Sequence, residues 1–308
     1  MIGTVSTKEC KGLGFSVIER LNKIFPQPLR PYLRSKKAQY FNKYIESNFQ
    51  ETLKPYIIAG ECREAVSEFK VWVFWAQGFD SAPDLVQMCS HRLMEVCGDQ
   101  VVHLTMDNIA DYVSFPPHII EKVRDKRITL THFSDLLRLA LLSQYGGLWI
   151  DSTCWVSDDC LSTLRSGDLC TLHSAPRILP RYIANGRWTI WAIGSRYAQT
   201  TLFSATRDII YKYWEFNDSM VDYFLIDYTL NYVYEKFDCA RVMVDNVRVD
   251  ASQRNELRKR LNAPYSESQY RDILASTPIS KLSYKMPLSE RTESGEQTLF
   301  GKLKELYR

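Results

Sequence analysis

The 308-residue sequence lacks several things, and each absence narrows what the chain can be. Its apolar runs are all far too short to span a bilayer, so no transmembrane helix is expected. No basic segment followed by an apolar one opens the chain, so no secretory signal is expected either. Thirteen glycines and twelve prolines are too few for a fibrous or low-complexity protein, and no repeat of about 20–50 residues recurs. Eight cysteines, at positions 10, 62, 89, 97, 154, 160, 170 and 239, include no Cys-x-x-Cys pair and no Cys/His spacing of a zinc site. They read as reduced, mostly buried thiols of a cytosolic protein. Charge of one sign is not in excess: 39 Lys and Arg face 36 Asp and Glu, a net of +3. That balance argues against a general nucleic-acid binder, and no nucleic-acid partner is expected.

What is present is ordinary globular material, 45% hydrophobic and 24% charged, in a chain long enough for a sizeable core. The charge is uneven. Residues 1–54 hold ten Lys and Arg against four acids, and the remainder holds 29 against 32. This basic segment reads as two helices broken around Pro26–Pro31, the first through Phe15, Ile18, Leu21 and Ile24, the second from Pro31 to Leu53. From Val71 the pattern changes to strands alternating with helices. Val71–Trp75 reads as a buried strand ending near Gly78, Pro83–Cys97 as a helix, and Val101–Leu104 as the next strand. Thr131–Tyr145 reads as a helix ended by Gly146–Gly147. Further strands are expected at Leu148–Asp151, Asp168–Leu172 and Trp188–Ile193, and long helices at Tyr197–Trp214 and Met220–Phe237. The tail from Asp250 is polar, helical or irregular, and rich in turns at Pro287–Gly295. Such alternation predicts an α/β fold with a mostly parallel sheet and helices on its faces.

The informative stretch runs from His132 to Thr153. On the helix, Asp135 and Arg138 lie three apart and share a face, while Phe133, Leu136, Leu137, Ala140 and Leu141 form the core-facing stripe. The strand after the glycines carries Asp151 at its carboxyl end, where open α/β sheets bind ligands. An Asp–Arg pair alone is more often a structural ion pair, and a lone Asp ending a strand is more often a cap. At this spacing, followed by Ser152 and Thr153, they aim at one crevice.

These residues resemble the bacterial capsular-polysaccharide-synthesis glycosyltransferases, relatives of the yeast mannosyltransferases that initiate outer chains and, more distantly, of the clostridial glucosylating toxins. The resemblance covers roughly residues 70–290. It rests on Val71-Trp-Val-Phe-Trp-Ala-Gln-Gly78, Phe133-Ser-Asp-Leu-Leu-Arg138, Tyr145-Gly-Gly-Leu-Trp-Ile-Asp-Ser-Thr153, Asn185-Gly-Arg-Trp188, Asp222-Tyr-Phe-Leu-Ile-Asp-Tyr228 and Lys281-Leu-Ser-Tyr-Lys285. It implies a GT-A (Rossmann-like) nucleotide-sugar fold over residues 61–308, behind an N-terminal helical extension at 1–60, and sugar transfer with retention of configuration. It also implies a nucleotide-diphosphate sugar donor, a UDP-sugar foremost, and an oligosaccharide or lipid-linked glycan acceptor.

Carried over residue by residue, the resemblance puts Trp75 and Gln77 at the nucleotide and Asp135 and Arg138 on donor hydroxyls. Asp151 takes the first position of the Asp-x-Asp motif. Thr153 replaces the second Asp, the usual direct ligand of a divalent cation, so a Mn²⁺ or Mg²⁺ cofactor would be held by Asp151 and Thr153. Breaking the sugar–phosphate bond leaves negative charge on the diphosphate that something positive must stabilise. Lys281, Lys285 and Arg291 are the candidates to close over it, although a lone surface lysine is more often simply solvated. Asp227 is read as an acceptor-side contact, with Asp222, Asn185 and Trp188 as further candidates. A glycoside hydrolase, working through two carboxylates, and a non-catalytic sugar-nucleotide or glycan binder are the competing classes. Residues 1–54 fit two readings: a peripheral contact with an anionic membrane at its cytoplasmic face, or a helical pair packed on the catalytic domain with its basic face solvated.

Overall fold

The computed structural model describes residues 30–61, 63–175 and 182–307. The helix expected through Phe15 and Ile24, and the thiols of Cys10 and Cys62, lie outside the described residues. In chain order the strands are β1 (Glu64–Ala65), β2 (Val71–Phe74), β3 (Val101–Leu104), β4 (Gly147–Ile150), β5 (Cys154–Val156), β6 (Leu169–Thr171), β7 (Ala192–Ser195), β8 (Tyr197–Ala198) and β9 (Ile279–Lys281). Five of them build the central sheet in the order β3-β2-β4-β7-β6, with β1–β8 and β5–β9 as separate antiparallel pairs. β2 pairs in parallel with β3 and β4, while β7 runs antiparallel to β4 and β6. The sheet is therefore mixed. Its parallel half is the part whose connections pass through the Asp84–Cys97, Pro117–Arg124 and Leu130–Tyr145 helices, the crossovers that parallel pairing requires.

Every residue of β2 and β4 is buried, because helices cover both faces. Val71, Val73, Leu148 and Ile150 enter one core with Leu93 and Cys97. Trp72, Phe74 and Trp149 enter the other with Leu137, Leu141, Phe203 and Ile210. Two-sided burial is why these strands read as unbroken apolar runs rather than alternating ones. The Leu130–Tyr145 helix starts at Thr129, whose hydroxyl accepts from the His132 N–H, and ends at Gly146, whose N–H bonds the Leu142 carbonyl at 3.1 Å. Gly147 has φ +85°, and a Cβ there would lie 2.3 Å from the Lys70 carbonyl oxygen. Only glycine fits that close approach, and it launches β4 toward Asp151.

The helix expected at Pro31–Leu53 divides into Arg30–Asn48 and Gln50–Ala59, and three later boundaries also differ from expectation. The strand expected at 188–193 forms at Ala192–Ser195, because Trp188 and Thr189 are drawn into hydrogen bonds with Asp227 and Thr171 instead of a ladder. The helix expected from Tyr197 starts at Thr201, since Tyr197–Ala198 pairs with Glu64–Ala65. The helix expected from Met220 starts at Leu225, because the Asp222 carboxylate accepts from the Phe224 N–H at 2.8 Å and also ion-pairs with Lys37. Asp222 therefore stands in a turn.

Helices at Arg30–Asn48 and Gln50–Ala59 form the described part of the N-terminal segment. Phe41, Ile45, Phe49 and Leu53 are buried in the same core as Trp72 and Trp149, while Lys36, Lys43 and Lys54 stay exposed. No helix among the described residues is long and apolar enough to cross a membrane. Phe41 sits 6.4 Å from the Tyr213 ring and 6.2 Å from the Tyr228 ring. We expect Phe41→Ala to remove about 3–5 kcal/mol of stability and to lower Tm by on the order of 10 °C in a thermal melt. An unchanged Tm would show that this helix is not part of the main core.

Candidate active site

The site begins where β2 and β4 end. The backbone leaves β4 in a tight turn: the Asp151 N–H donates to the Trp191 carbonyl at 2.8 Å, and the Cys154 N–H donates to the Asp151 carbonyl at 3.0 Å. The chain then enters β5, whose partner is β9, and this register sets Lys281 opposite Cys154. A residue 130 positions away is thus brought back to Asp151. Its ammonium lies 2.6 Å from Asp151 Oδ2. Asp151 Oδ1 accepts from Trp149 Nε1 at 2.9 Å and from Arg138 at 3.1 Å. Arg138 also donates to Asp135 Oδ1 at 2.7 Å, and its guanidinium lies 4.8 Å from the Trp149 ring centroid. Asp135, Arg138, Asp151 and Lys281 therefore form one chain of alternating charge.

Exposure divides this chain. The Arg138 side chain is 3% exposed, whereas Asp151 and Lys281 retain 30% and 24%. A ligand can reach the outer pair while the inner pair is fixed. Burial opposes the charge on Asp151, but Lys281 and then Arg138 outweigh it and hold the carboxyl below its ordinary range. Burial likewise opposes the charge on Lys281, and Asp151 outweighs it. Behind Asp135 stands His132. Trp214 Nε1 donates to His132 Nε2 at 2.9 Å, so a neutral imidazole carries its proton on Nδ1, 3.4 Å from Asp135 Oδ2. That distance is too long for a good hydrogen bond but orients the carboxylate electrostatically.

Beyond Trp191 lies a cavity of about 540 Å³, walled by Trp188, Trp191, Asn185, Phe224, Asp227, Arg254 and Arg258 among others. Asp227 is buried in the first turn of the Leu225–Lys236 helix and accepts from Trp188 Nε1 at 2.8 Å. Burial, reinforced by the Asp135 charge and opposed by the Trp188 hydrogen bond and by Arg138, pushes its carboxyl up to about 6. The Asn185–Gly186 turn has φ values of +46° and +82°. A Cβ on Gly186 would fall 2.4 Å from the Ser174 carbonyl oxygen, so glycine is required there too.

The structure thus joins Asp135, Arg138, Asp151 and Lys281 directly, and sets Asp227 close enough to feel the first two. Trp75, half-buried at the end of β2, meets Tyr284 edge-to-face with ring centroids 5.7 Å apart. Gln77 and Lys285 are exposed on the loops beside these rings. Thr153 is half-buried, and its carbonyl accepts from the Leu282 N–H at 2.9 Å. Arg291 is engaged in its own turn, donating to the Gly295 carbonyl at 2.8 Å. Asp222 is committed to Lys37. Sequence reasoning missed Trp149, His132, Trp191, Tyr284, Arg254 and Arg258. Trp149 left the clearest signal, being two residues before Asp151 on the same strand face, while His132, at the start of the 132–153 stretch, and Tyr284, within Lys281–Lys285, carry no local mark of their role.

A family model described as "Capsular polysaccharide synthesis protein" matches residues 21–303. Among curated proteins, the O-glycosyltransferase braB of Annulohypoxylon truncatum is 34% identical over 96 residues, 28% of this chain and 23% of the relative. The O-glycosyltransferase PaGT of Phomopsis amygdali is 26% identical over 104 residues, 30% of this chain and 26% of the relative. The chain thus spans about a quarter of the length of each. No solved structure matches.

Asp227 yields a pH prediction. From the ordinary carboxylate value of 3.8 up to about 6, the folded protein holds a proton that the unfolded chain has released. Its contribution to stability therefore falls as pH rises through that window, by about 1–3 kcal/mol. Denaturant titrations from pH 4 to 7 should show Asp227→Asn gaining on the wild type as pH rises. A pH-independent difference between the two would contradict the buried carboxyl.

Proposed function

Given that the chain belongs to the capsular polysaccharide synthesis protein family, we propose that it is a glycosyltransferase. It moves a hexose, with retention of configuration, from a nucleoside-diphosphate sugar to an acceptor hydroxyl on a glycan, oligosaccharide or lipid-linked. The observation that carries this reading is the Asp135–Arg138–Asp151–Lys281 chain at the carboxyl end of β4, beside a cavity with a buried carboxylate. A uridine nucleotide is the donor we favour, its base lying against Trp75 and Tyr284 with Gln77 and Lys285 at the rim.

Asp135 and Asp151 accept from sugar and ribose hydroxyls, and Arg138 fixes both carboxylates while offering positive charge. As the anomeric carbon parts from the phosphate oxygen, the departing diphosphate gains negative charge. Lys281, charged and reachable, is the group that stabilises it. The acceptor oxygen bonds the anomeric carbon on the face the diphosphate leaves. Its proton passes toward Asp227, whose Oδ2 is not the oxygen bonded by Trp188.

The donor set does not suit a directly held Mn²⁺ or Mg²⁺. Both Asp151 oxygens already accept from cations or the indole N–H. Thr153 brings no carboxylate, and Asp135 holds Arg138 through Oδ1, leaving only Oδ2 for a ligand. A hard divalent ion needs several free oxygen ligands. No step here is assigned to a metal, and Lys281 takes the electrostatic task.

The test is a thermal-shift screen of UDP-, GDP- and other sugar nucleotides, in EDTA and in Mn²⁺, followed by turnover assays. We expect a UDP-sugar to raise Tm equally in both buffers by mass action. Turnover should fall by about 10²-fold or more in Asp151→Asn and in Lys281→Met. Stabilisation only with Mn²⁺ would overturn the role of Lys281, and donor binding with no transfer to any acceptor would make the chain a non-catalytic binder.

Exposed Lys36, Lys43 and Lys54 also support a peripheral, salt-sensitive contact between residues 1–54 and an anionic membrane. The protein should sediment with anionic vesicles at low salt, and a variant carrying Lys36→Gln, Lys43→Gln and Lys54→Gln should sediment clearly less; equal sedimentation would remove this part of the reading.

A further inference from the structure

The cavity beyond Trp191 holds two cationic side chains that the proposed chemistry does not use. Arg254 and Arg258 both line it and both are half-buried. Arg254 donates from its guanidinium to the Ala251 carbonyl at 2.7 Å and, among the described residues, meets no carboxylate. Arg258 has no hydrogen bond or ion pair among the described residues. Nearby Glu256 is drawn to Lys259 instead, at 2.6 Å. Among the described residues the one carboxylate on the cavity wall is Asp227, tied to the Trp188 indole. Two partly desolvated guanidinium groups share this concavity with a single described carboxylate, already hydrogen-bonded by Trp188, so a further anion would complete their neutralisation. Arginine also presents a planar fork suited to carboxylate and phosphate oxygens.

The cavity's other walls say what accompanies that anion. Trp188, Trp191 and Phe224 line it, and Tyr182 and Tyr223 extend the aromatic surface, with Phe224 centroids 5.5 and 5.1 Å away. Such rings suit the faces of a sugar ring or an apolar chain. The cavity adjoins the charge cluster without overlapping it. The Lys281 N–H donates to the Arg254 carbonyl at 2.8 Å, and the Lys281 ammonium lies 5.7 Å from the Trp191 ring centroid.

We propose that this cavity is the acceptor subsite and that Arg254 and Arg258 select an acceptor bearing an anionic group, a carboxylate or a phosphate, whose hydroxyl is presented to Asp227. This rests on the glycosyltransferase reading above. It differs from the donor diphosphate in place, since the donor phosphates are assigned to Lys281.

The experiment compares charged and neutral probes of matched shape by calorimetric titration of the full chain. Para-nitrophenyl β-D-glucuronide is set against the corresponding glucoside for a sugar carboxylate, and farnesyl phosphate against farnesol for a lipid phosphate. UDP is titrated separately. We expect one charged probe to bind at least about tenfold tighter than its neutral partner. Which pair shows the preference identifies the source of the anion. Arg258→Met should erase that preference, Arg258→Lys should keep part of it, and UDP affinity should change by less than about twofold. Equal binding of charged and neutral probes to the wild type would overturn the proposal whatever the variants do. So would loss of UDP affinity in a folded Arg258→Met protein matching the loss for the probe, which would assign Arg258 to the donor phosphates. UDP binding without a charge preference discards the anion subsite alone. Charge-selective binding without UDP binding discards the glycosyltransferase reading and leaves the anion site standing.

Discussion

The burial of the Arg138 guanidinium is the constraint on which the rest of the site depends. A cation at 3% exposure is unfavourable unless it is paired and hydrogen-bonded. Asp135 and Asp151 supply the charge, and the Trp149 ring supplies a π face. Each partner is located by Arg138 in turn. Asp135 stands one helical turn before it, with His132 behind, and Asp151 is held at the end of β4, where its outer oxygen meets Lys281. The Asp135 charge then reaches Asp227 and helps raise that carboxyl. Removing the guanidinium would leave two carboxylates facing each other at the mouth of the sheet.

The two halves of the sheet contribute differently. Parallel strands β2 and β4 end side by side and present Trp75 and Asp151 from their carboxyl ends, the position at which open α/β sheets hold ligands. The antiparallel half borders the cavity, through residues 174 and 175 after β6 and residues 182–191 before β7. In the proposed reaction the first half binds the donor and the second receives the acceptor, with Asp151, Lys281 and Trp191 at the seam.

How much of this was legible in the sequence follows from distance along the chain. The Phe133–Arg138 helix, the Gly146–Gly147 turn and Asp151 lie within twenty residues, and local periodicity was enough to place them on one crevice. Lys281 was named, but its contact with Asp151 depends on the β5–β9 register, which no local pattern encodes. The direction of β7 was not legible for the same reason, since strand polarity is set by the sheet's pairing and not by its apolar residues. Asp222 and Asp227 share a single expected helix in the sequence, with Asp227 the preferred acceptor-side contact and no local reason for their different fates. They part because Lys37, on the Arg30–Asn48 helix, captures the first, while Trp188 captures the second. Arg254 and Arg258 read as members of a polar tail, and only tertiary packing turns them into a cavity wall.

In the proposed reaction a sugar nucleotide lies across Asp151 and Lys281, with the lysine taking the place of a metal. A crystal structure of the chain with a UDP-hexose, grown in Mn²⁺ and recorded with anomalous data, tests it most directly. The expected result is uracil against Trp75 and Tyr284, a diphosphate oxygen within hydrogen-bond reach of Lys281 Nζ, and no anomalous peak on Asp151. A manganese peak bound by Asp151 and Thr153, with Lys281 displaced, or a nucleotide bound elsewhere, would contradict it.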